Sequence, residues 1–566
     1  MNRKIIAATA LCALATSAYA ASNRPSGYTT ICKINQTCSV AAGTNVAYGA
    51  ADLFTYKVLS GSFVCNTATF GVDPNPAKAN KECSIPAGGA SAISSSVSVV
   101  SSSKSSALSS NKSSALSSSK SSSSLSSSVS SVKVSSSVAS LQSSSVVSSK
   151  SSSSAVVSSK SSVSSAASSA PSNACHNFSV SKTYYVSRNG SANADGSSFS
   201  AAMDIKTALA AVTGGQMLLL EPGTYTVPYS AGVANTIKLT KSGSASAPIR
   251  VVAANCGRAV IDFSFPEQQW VQDSYGLSLT GSYWYFKGIE ITRAGYQGVY
   301  VTGKYNTFEN CAFHNNRNTG LEINKGGAYT TVINSDAYRN YDPKKKGSMA
   351  DGFGPKQTQG PGNKFIGCRA WENSDDGFDL FDSPEVVTIE NSWAFRNGVD
   401  IWGYGGFTGN GNGFKLGGNG VVAKNRITNS IAFDNPKKGF DQNNNAGGVT
   451  LLNNTAYRNG NNYGFGNPVA SGQKHYFRNN VSLSAPVSIS NSDAKNNSWD
   501  TGPLAIASDF VSLDLSVATA ARNADGSLPS NNLFKLTATS ALIDKGVSVG
   551  LPYLGSAPDL GAFEKK

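Results

Sequence analysis

Four aspartates and one lysine, Asp351, Asp375, Asp376, Asp379 and Lys415, recur in step with a repeated Gly-Phe phrase. The phrase stands at Gly352, Gly377, Gly413, Gly439 and Gly464, after the related Gly298-Val299 and Gly320-Leu321. With the segments aligned on it, the residue before Gly is Asp351, Asp376, Asn412, Lys438 and Tyr463 in turn. The residue after Phe is Gly354, Asp379, Lys415, Asp441 and Gly466. If each segment is one turn of a stack, Asp351 lies on Asp376, Asp379 lies on Lys415, and Asp375 sits beside Asp376. Four carboxylates at close quarters repel unless a cation neutralises them or some take protons. Two carboxylates about 4.8 Å apart both reach a Ca²⁺ at roughly 2.3–2.6 Å. Calcium is favoured over zinc because no His or Cys joins the cluster, and over Mg²⁺ because Mg²⁺ takes few carboxylates and keeps several waters. A solvated acidic rung is the plainer reading of any one aspartate; four in phase point to a metal.

Lys415 is the cation stacked on this cluster. It reads either as a salt bridge to Asp379 or as a general base. A lysine serves as base only if its pKa falls well below about 10.4. A bound divalent cation and partial desolvation both push that way, whereas loss of the metal leaves the carboxylates holding the ammonium charged.

The stack follows from a second repeat. Asn391-Ser392-Trp393-Ala394-Phe395 recurs as Asn334-Ser335-Asp336-Ala337-Tyr338, Gly367-Cys368-Arg369-Ala370-Trp371, Asn429-Ser430-Ile431-Ala432-Phe433 and Asn453-Asn454-Thr455-Ala456-Tyr457. The alanines at 337, 370, 394, 432 and 456 are spaced 33, 24, 38 and 24 residues, a basic period of 24 with two insertions. Short β-rich runs with Asn and Gly at that period predict an all-β fold, a parallel β-helix, in which Asn at one coil position forms a side-chain ladder. A leucine-rich horseshoe lacks its signature here, and a propeller needs longer units. The insertions flank the aspartates. One carries Lys344, Lys345 and Lys346, whose ammoniums could meet anions; the other carries Trp402, Tyr404 and Phe407, whose rings could stack on flat faces. Plain loop packing explains either set as well. Residues Ala201–Val212 predict a helix capping the end of the stack.

The rest of the chain reads as delivery. Residues 1–20 pair Arg3 and Lys4 with an apolar run and Ala18-Tyr19-Ala20, a secretory signal, so a secreted, extracellular protein is expected, with no membrane span. Residues 21–90 hold Cys32, Cys38, Cys65 and Cys83, which suggest two disulfides in any of three pairings. Tyr28, Tyr48, Phe54, Tyr56, Phe63 and Phe70 make this small module a candidate for carbohydrate binding, although it has no Trp. Residues 91–172 are almost pure Ser with Val, Ala and Lys and bury too little to offset their ordering entropy, so they read as a flexible linker. Cys175 and Cys256 are candidates for a third bridge, and Cys311 and Cys368 for buried free thiols. The formal charge of +14 includes six linker lysines; residues 173–566 carry 34 basic and 30 acidic groups. That near balance argues against a nucleic-acid partner. A monomer is expected.

The stretches Asp351-Gly352-Phe353, Lys356-Gln357-Thr358-Gln359-Gly360-Pro361-Gly362-Asn363, Trp371-Glu372-Asn373-Ser374-Asp375-Asp376-Gly377-Phe378-Asp379 and Gly413-Phe414-Lys415 resemble family 9 polysaccharide lyases. The resemblance spans most of residues 180–566, including the closing Asp559-Leu560-Gly561-Ala562-Phe563. It implies a right-handed β-helix over 173–566 and a pectate lyase. It gives Asp351, Asp375, Asp376 and Asp379 the role of ligands to one catalytic Ca²⁺, and Lys415 that of base. The implied reaction is β-elimination on α-1,4-polygalacturonate, leaving 4,5-unsaturated ends. The resemblance does not cover the front module or the linker; that module is similar to the accessory modules of bacterial plant-wall-degrading enzymes and is expected to hold plant cell-wall polysaccharide, the alternative being an inert stabilising or sorting module. Rival readings are a lyase on another uronan, a polygalacturonase-type hydrolase, and a non-catalytic calcium-binding adhesin. The hydrolase pairs its acids with a Gly-His-Gly motif, and His176, His314 and His475 are not so flanked.

Overall fold

The computed structural model describes residues 23–24, 28–50, 53–71, 73–75, 78–86 and 177–565. The expected signal segment, the linker, Cys175 and His176 lie outside them. The described residues fall into two units.

The smaller unit is an antiparallel sheet in the order Tyr28–Lys33, Glu82–Pro86, Thr37–Ala50, Leu53–Val64. So small a unit buries little apolar area, and cross-links compensate. Of the three pairings, the structure has Cys32–Cys38 and Cys65–Cys83. Tyr48 is fully buried and stacks on Phe70 at 5.0 Å, with Phe63 edge-on to Phe70 at 6.2 Å. Three of the aromatics expected to offer a sugar platform thus pack on one another, two of them buried in the module's core.

The larger unit winds through three parallel sheets of ten, ten and twelve strands. Each coil visits the wide sheet, then the sheet carrying the repeated alanines, then a sheet carrying the Gly-Phe phrase. Ala337, Ala370, Ala394, Ala432 and Ala456 pair in one register column and are fully buried. Inside the coil, Phe353, Phe378, Phe414, Phe440 and Tyr463 stack at 4.8–5.1 Å. This spacing is the rung repeat of a parallel sheet.

At the corner between the second and third sheets the expected ladder is present. Asn316, Asn340, Asn373, Asn397, Asn435 and Asn459 each donate Nδ2 to the next Oδ1 at 2.8–3.1 Å, the last to Asn462. Several also donate back to a coil carbonyl, as Asn373 does to Ala337 and Asn397 to Ala370. Amides buried in this way satisfy the corner where the chain turns and no β-ladder serves it.

Two details differ from the sequence reading. The helix is Ile205–Ala211, because Asp204 accepts from Lys206 N and Thr207 N and caps it there. Its Ile205, Ala208 and Leu209 are buried against the first coils. The Gly-Phe phrase at 464 is out of step by two residues: Phe440 pairs with Tyr463 rather than Phe465. Asn462 enters the ladder directly from Asn459, and this early re-entry brings Tyr463 onto the aromatic column. Cys311 and Cys368 are buried free thiols, and Cys256 is disulfide-bonded.

Candidate active site

The third sheet alternates inward and outward residues, as any strand must. Inward Phe353, Phe378 and Phe414 pair along one column, and outward Asp379 pairs with Lys415 on the adjacent rung. The two insertions leave from the ladder corner on the coils either side of Asp375, and both close on its carboxylate. Met349 N donates to Oδ2 at 2.7 Å, and Asn410 N donates to Oδ1 at 2.5 Å. Gly347 and Gly409 permit this: a Cβ on Gly347 would meet the Phe407 ring at 2.8 Å, and one on Gly409 would meet Ser374 O at 1.7 Å.

Asp351, Asp375 and Asp376 are buried and bring carboxylate oxygens within 4.8 Å of one another. Asp376 Oδ1 accepts from both N and Nδ2 of Asn412 at 2.8 Å. Its Oδ2 is wholly buried and accepts no hydrogen bond; the Lys415 ammonium stands 3.1 Å away as an ion pair outside hydrogen-bond geometry. Asp379 faces the lysines: Oδ1 lies 3.3 Å from Lys415 Nζ and Oδ2 lies 3.4 Å from Lys356 Nζ. Lys356 is also 2.6 Å from Asp351 Oδ2, which accepts from Thr319 Oγ1 as well.

Lys356 is absent from the sequence-derived site. Strand alternation carries the signal: two residues beyond Gly354, it shares the outward face with Asp379 and Lys415. The aligned columns stopped one position either side of Gly-Phe and did not reach it.

The electrostatics follow from burial and pairing. Burial, with Asp376 and Asp351 beside it, raises the Asp375 carboxyl well above the usual range. Burial raises Asp376 to about 6 despite Lys415. Burial also works against the Asp379 carboxylate, but Lys415 and Lys356 outweigh it and hold the carboxyl low. For Lys415, burial disfavours the ammonium, yet Asp379, Asp376, Asp351 and Asp375 prevail and raise its pKa. With these carboxylates ionised around it, the lysine is a cation rather than a base. An oxygen-only, buried cluster with an orphaned carboxylate oxygen fits a hard divalent cation. The four carboxylates and two ammoniums carry a net charge of −2, which one such ion balances.

The loop residues turn largely to one another. Lys344 Nζ sits 4.4 Å over Trp270, and Lys345 O and Lys346 O accept from Thr408. Trp402 and Tyr404 pack on Tyr341 at 4.9 and 5.2 Å. His314 lies 3.4 Å from Glu290 on the alanine sheet, and His475 is buried in the core.

The stacked coil is shared with known proteins. Residues 184–480 match the family model described as Pel9A-like, right handed beta helix region. The chain is 67% identical over 403 residues to pectate lyase L of Dickeya dadantii (strain 3937), covering 71% of this chain and 95% of that one. The crystal structure of pectate lyase Pel9A superposes with a TM-score of 0.68 at 68% identity, over 69% of this chain and 98% of that one. A rhamnogalacturonan lyase structure superposes with a TM-score of 0.54 at 31% identity, over 63% of this chain and 97% of that one. The chain belongs to the Pel9A-like right-handed β-helix family. Within that family its kinship runs to the pectate lyases, and it is accordingly an enzyme, a polysaccharide lyase of that kind.

Proposed function

We propose that the protein is a secreted pectate lyase that cleaves α-1,4-linked polygalacturonate by β-elimination, with Asp351, Asp375, Asp376 and Asp379 holding Ca²⁺ and Lys415 as base. The observation that carries the reading is the Asp376–Lys415–Asp379 arrangement, an amine 3.1 and 3.3 Å from two buried carboxylates, one of which belongs to the oxygen cluster with Asp351 and Asp375. Calcium held by the four aspartates would supply positive charge for the C6 carboxylate of the sugar at the +1 subsite, lowering the cost of negative charge at C5. Lys415 takes the C5 proton. The C5 electron pair forms the C4=C5 double bond as the C4–O pair leaves on oxygen, giving a 4,5-unsaturated uronide; the departing oxygen takes a proton from solvent to become a hydroxyl, and Lys415 returns its proton to solvent. No water adds. Asp379, held by Phe381 N at 3.0 Å, positions the amine of Lys415 at 3.3 Å.

We further propose that residues 1–20 direct export, that 91–172 tether the catalytic unit 173–566, and that 21–90 hold plant cell-wall polysaccharide. The two disulfides support an oxidising destination. No helix among the described residues is long and apolar enough to cross a membrane.

Incubation with polygalacturonate, followed by ultraviolet absorbance of the unsaturated product, tests the reaction. Absorbance should rise with calcium and stop with chelator. Reducing ends without absorbance would indicate hydrolysis. The 31% identical rhamnogalacturonan lyase neighbour makes a rhamnogalacturonan backbone the second substrate to assay. Faster turnover on that backbone would replace polygalacturonate as the substrate.

A further inference from the structure

Lys356 has no part in the elimination as drawn, yet it is 4% exposed and reaches two of the four carboxylates. Its approach is built. A Cβ on Gly354 would stand 3.2 Å from Lys356 Cε and 3.2 Å from Thr319 Cγ2, so the missing side chain leaves a lane across the rung. Lys356 N donates to Ile323 O at 3.1 Å, fixing the start of the side chain. The two lysines then take opposite oxygens of Asp379, Lys415 on Oδ1 and Lys356 on Oδ2. Lys356 alone of the two also approaches Asp351, at 2.6 Å.

We propose that Lys356 is a resident counter-cation, a positioning residue that keeps Asp351 and Asp379 assembled when no divalent ion is bound. The proposal rests on the calcium reading above. A buried carboxylate stripped of its partner is left uncompensated. Here the ammonium compensates Asp351 and Asp379 until a metal arrives, and a metal then shares the task. The arrangement trades cation affinity for a preformed cage, because a fixed positive charge within a few ångströms opposes a second one.

The test uses the full chain and three variants: Lys356→Met, which keeps the length and removes the charge, Lys356→Gln as a polar alternative, and Lys356→Arg as the rescue. Thermal unfolding is followed in chelator and in saturating calcium, and calcium binding is measured by calorimetry without substrate. In chelator, Lys356→Met should melt below wild type; in calcium most of that loss should disappear. Its calcium dissociation constant should fall roughly tenfold or more, and Lys356→Arg should return both quantities toward wild type. A lysine that only fills space predicts the same melting loss with and without calcium, and an unchanged dissociation constant; that result overturns the proposal. If Lys356→Met does not fold, Lys356→Gln is held to the same comparison. Wild-type protein that takes up no calcium would overturn the metal reading and this one together. Calcium uptake by wild type without tightening in the variants overturns this one alone.

Discussion

Asp376→Asn should make the metal-free protein more stable while removing its activity. Asp376 is completely buried, and its carboxyl titrates near 6 instead of 3.8, chiefly through burial and with Asp379 and Asp351 adding to it. A carboxyl raised in the folded state favours the protonated form. Its contribution to stability is therefore intact below about pH 4 and is lost as pH rises through about 6. The difference between 3.8 and about 6 is worth roughly 3 kcal/mol at 1.36 kcal/mol per unit. Asparagine mimics the protonated acid and keeps both bonds from Asn412, since Oδ1 still accepts them. In chelator at pH 8 the variant should exceed wild type by about 3 kcal/mol. Scaled to a domain of this length, that is a melting increase of about 3–6 °C. At pH 4 the two should coincide. The assay is a set of thermal or urea melts across pH 4–8 in chelator, repeated in calcium, where wild type should gain more than the variant. A variant less stable than wild type in chelator at pH 8, or a gap independent of pH, would refute the argument that burial sets the charge cost here.

Lys415→Ala should lower kcat by about 10²–10⁴ without unfolding the coil, and the wild-type rate should be greatest at alkaline pH; retained turnover in the variant, or a maximum near pH 5, removes Lys415 from the mechanism. Asn397→Ala should cost about 3 kcal/mol or more in urea melts, because Asn373 N, Asn373 Nδ2 and Ala370 O each lose a buried partner worth roughly 1–3 kcal/mol. Calcium affinity, followed by calorimetry, should weaken as pH falls below about 6, since Asp376 then holds a proton that the ion must displace.

The coil was legible because its rungs repeat. Alanine at a 24-residue interval marks positions where a larger side chain would not fit beneath the neighbouring coil, and all five alanines fall in one buried column. The pairing of Asp379 with Lys415 follows from the same count. Counting failed where a coil changed length. Near residue 464 the ladder steps only three residues, from Asn459 to Asn462, instead of a whole coil, and a phrase identical in letters sits two positions along the strand. Lys356 escaped because it lies two positions beyond the aligned columns, on the same outward face as Gly354, whose missing side chain leaves room for its reach. Trp402 and Tyr404 were open to two readings from composition alone, and their contacts with Tyr341 are decided by loop closure, which no repeat encodes.

Both detours depart from and rejoin the coil at the asparagine corner, and each contributes one backbone amide to Asp375. Their lengths are therefore free to vary without altering the rung count on which the carboxylates depend. A scaffold so divided lets the walls of the groove be remodelled by insertion while the reacting groups stay put. It also links the walls: a change in either detour that withdraws its amide is felt at the same carboxylate, so the two sides of the groove would be expected to diversify as a pair.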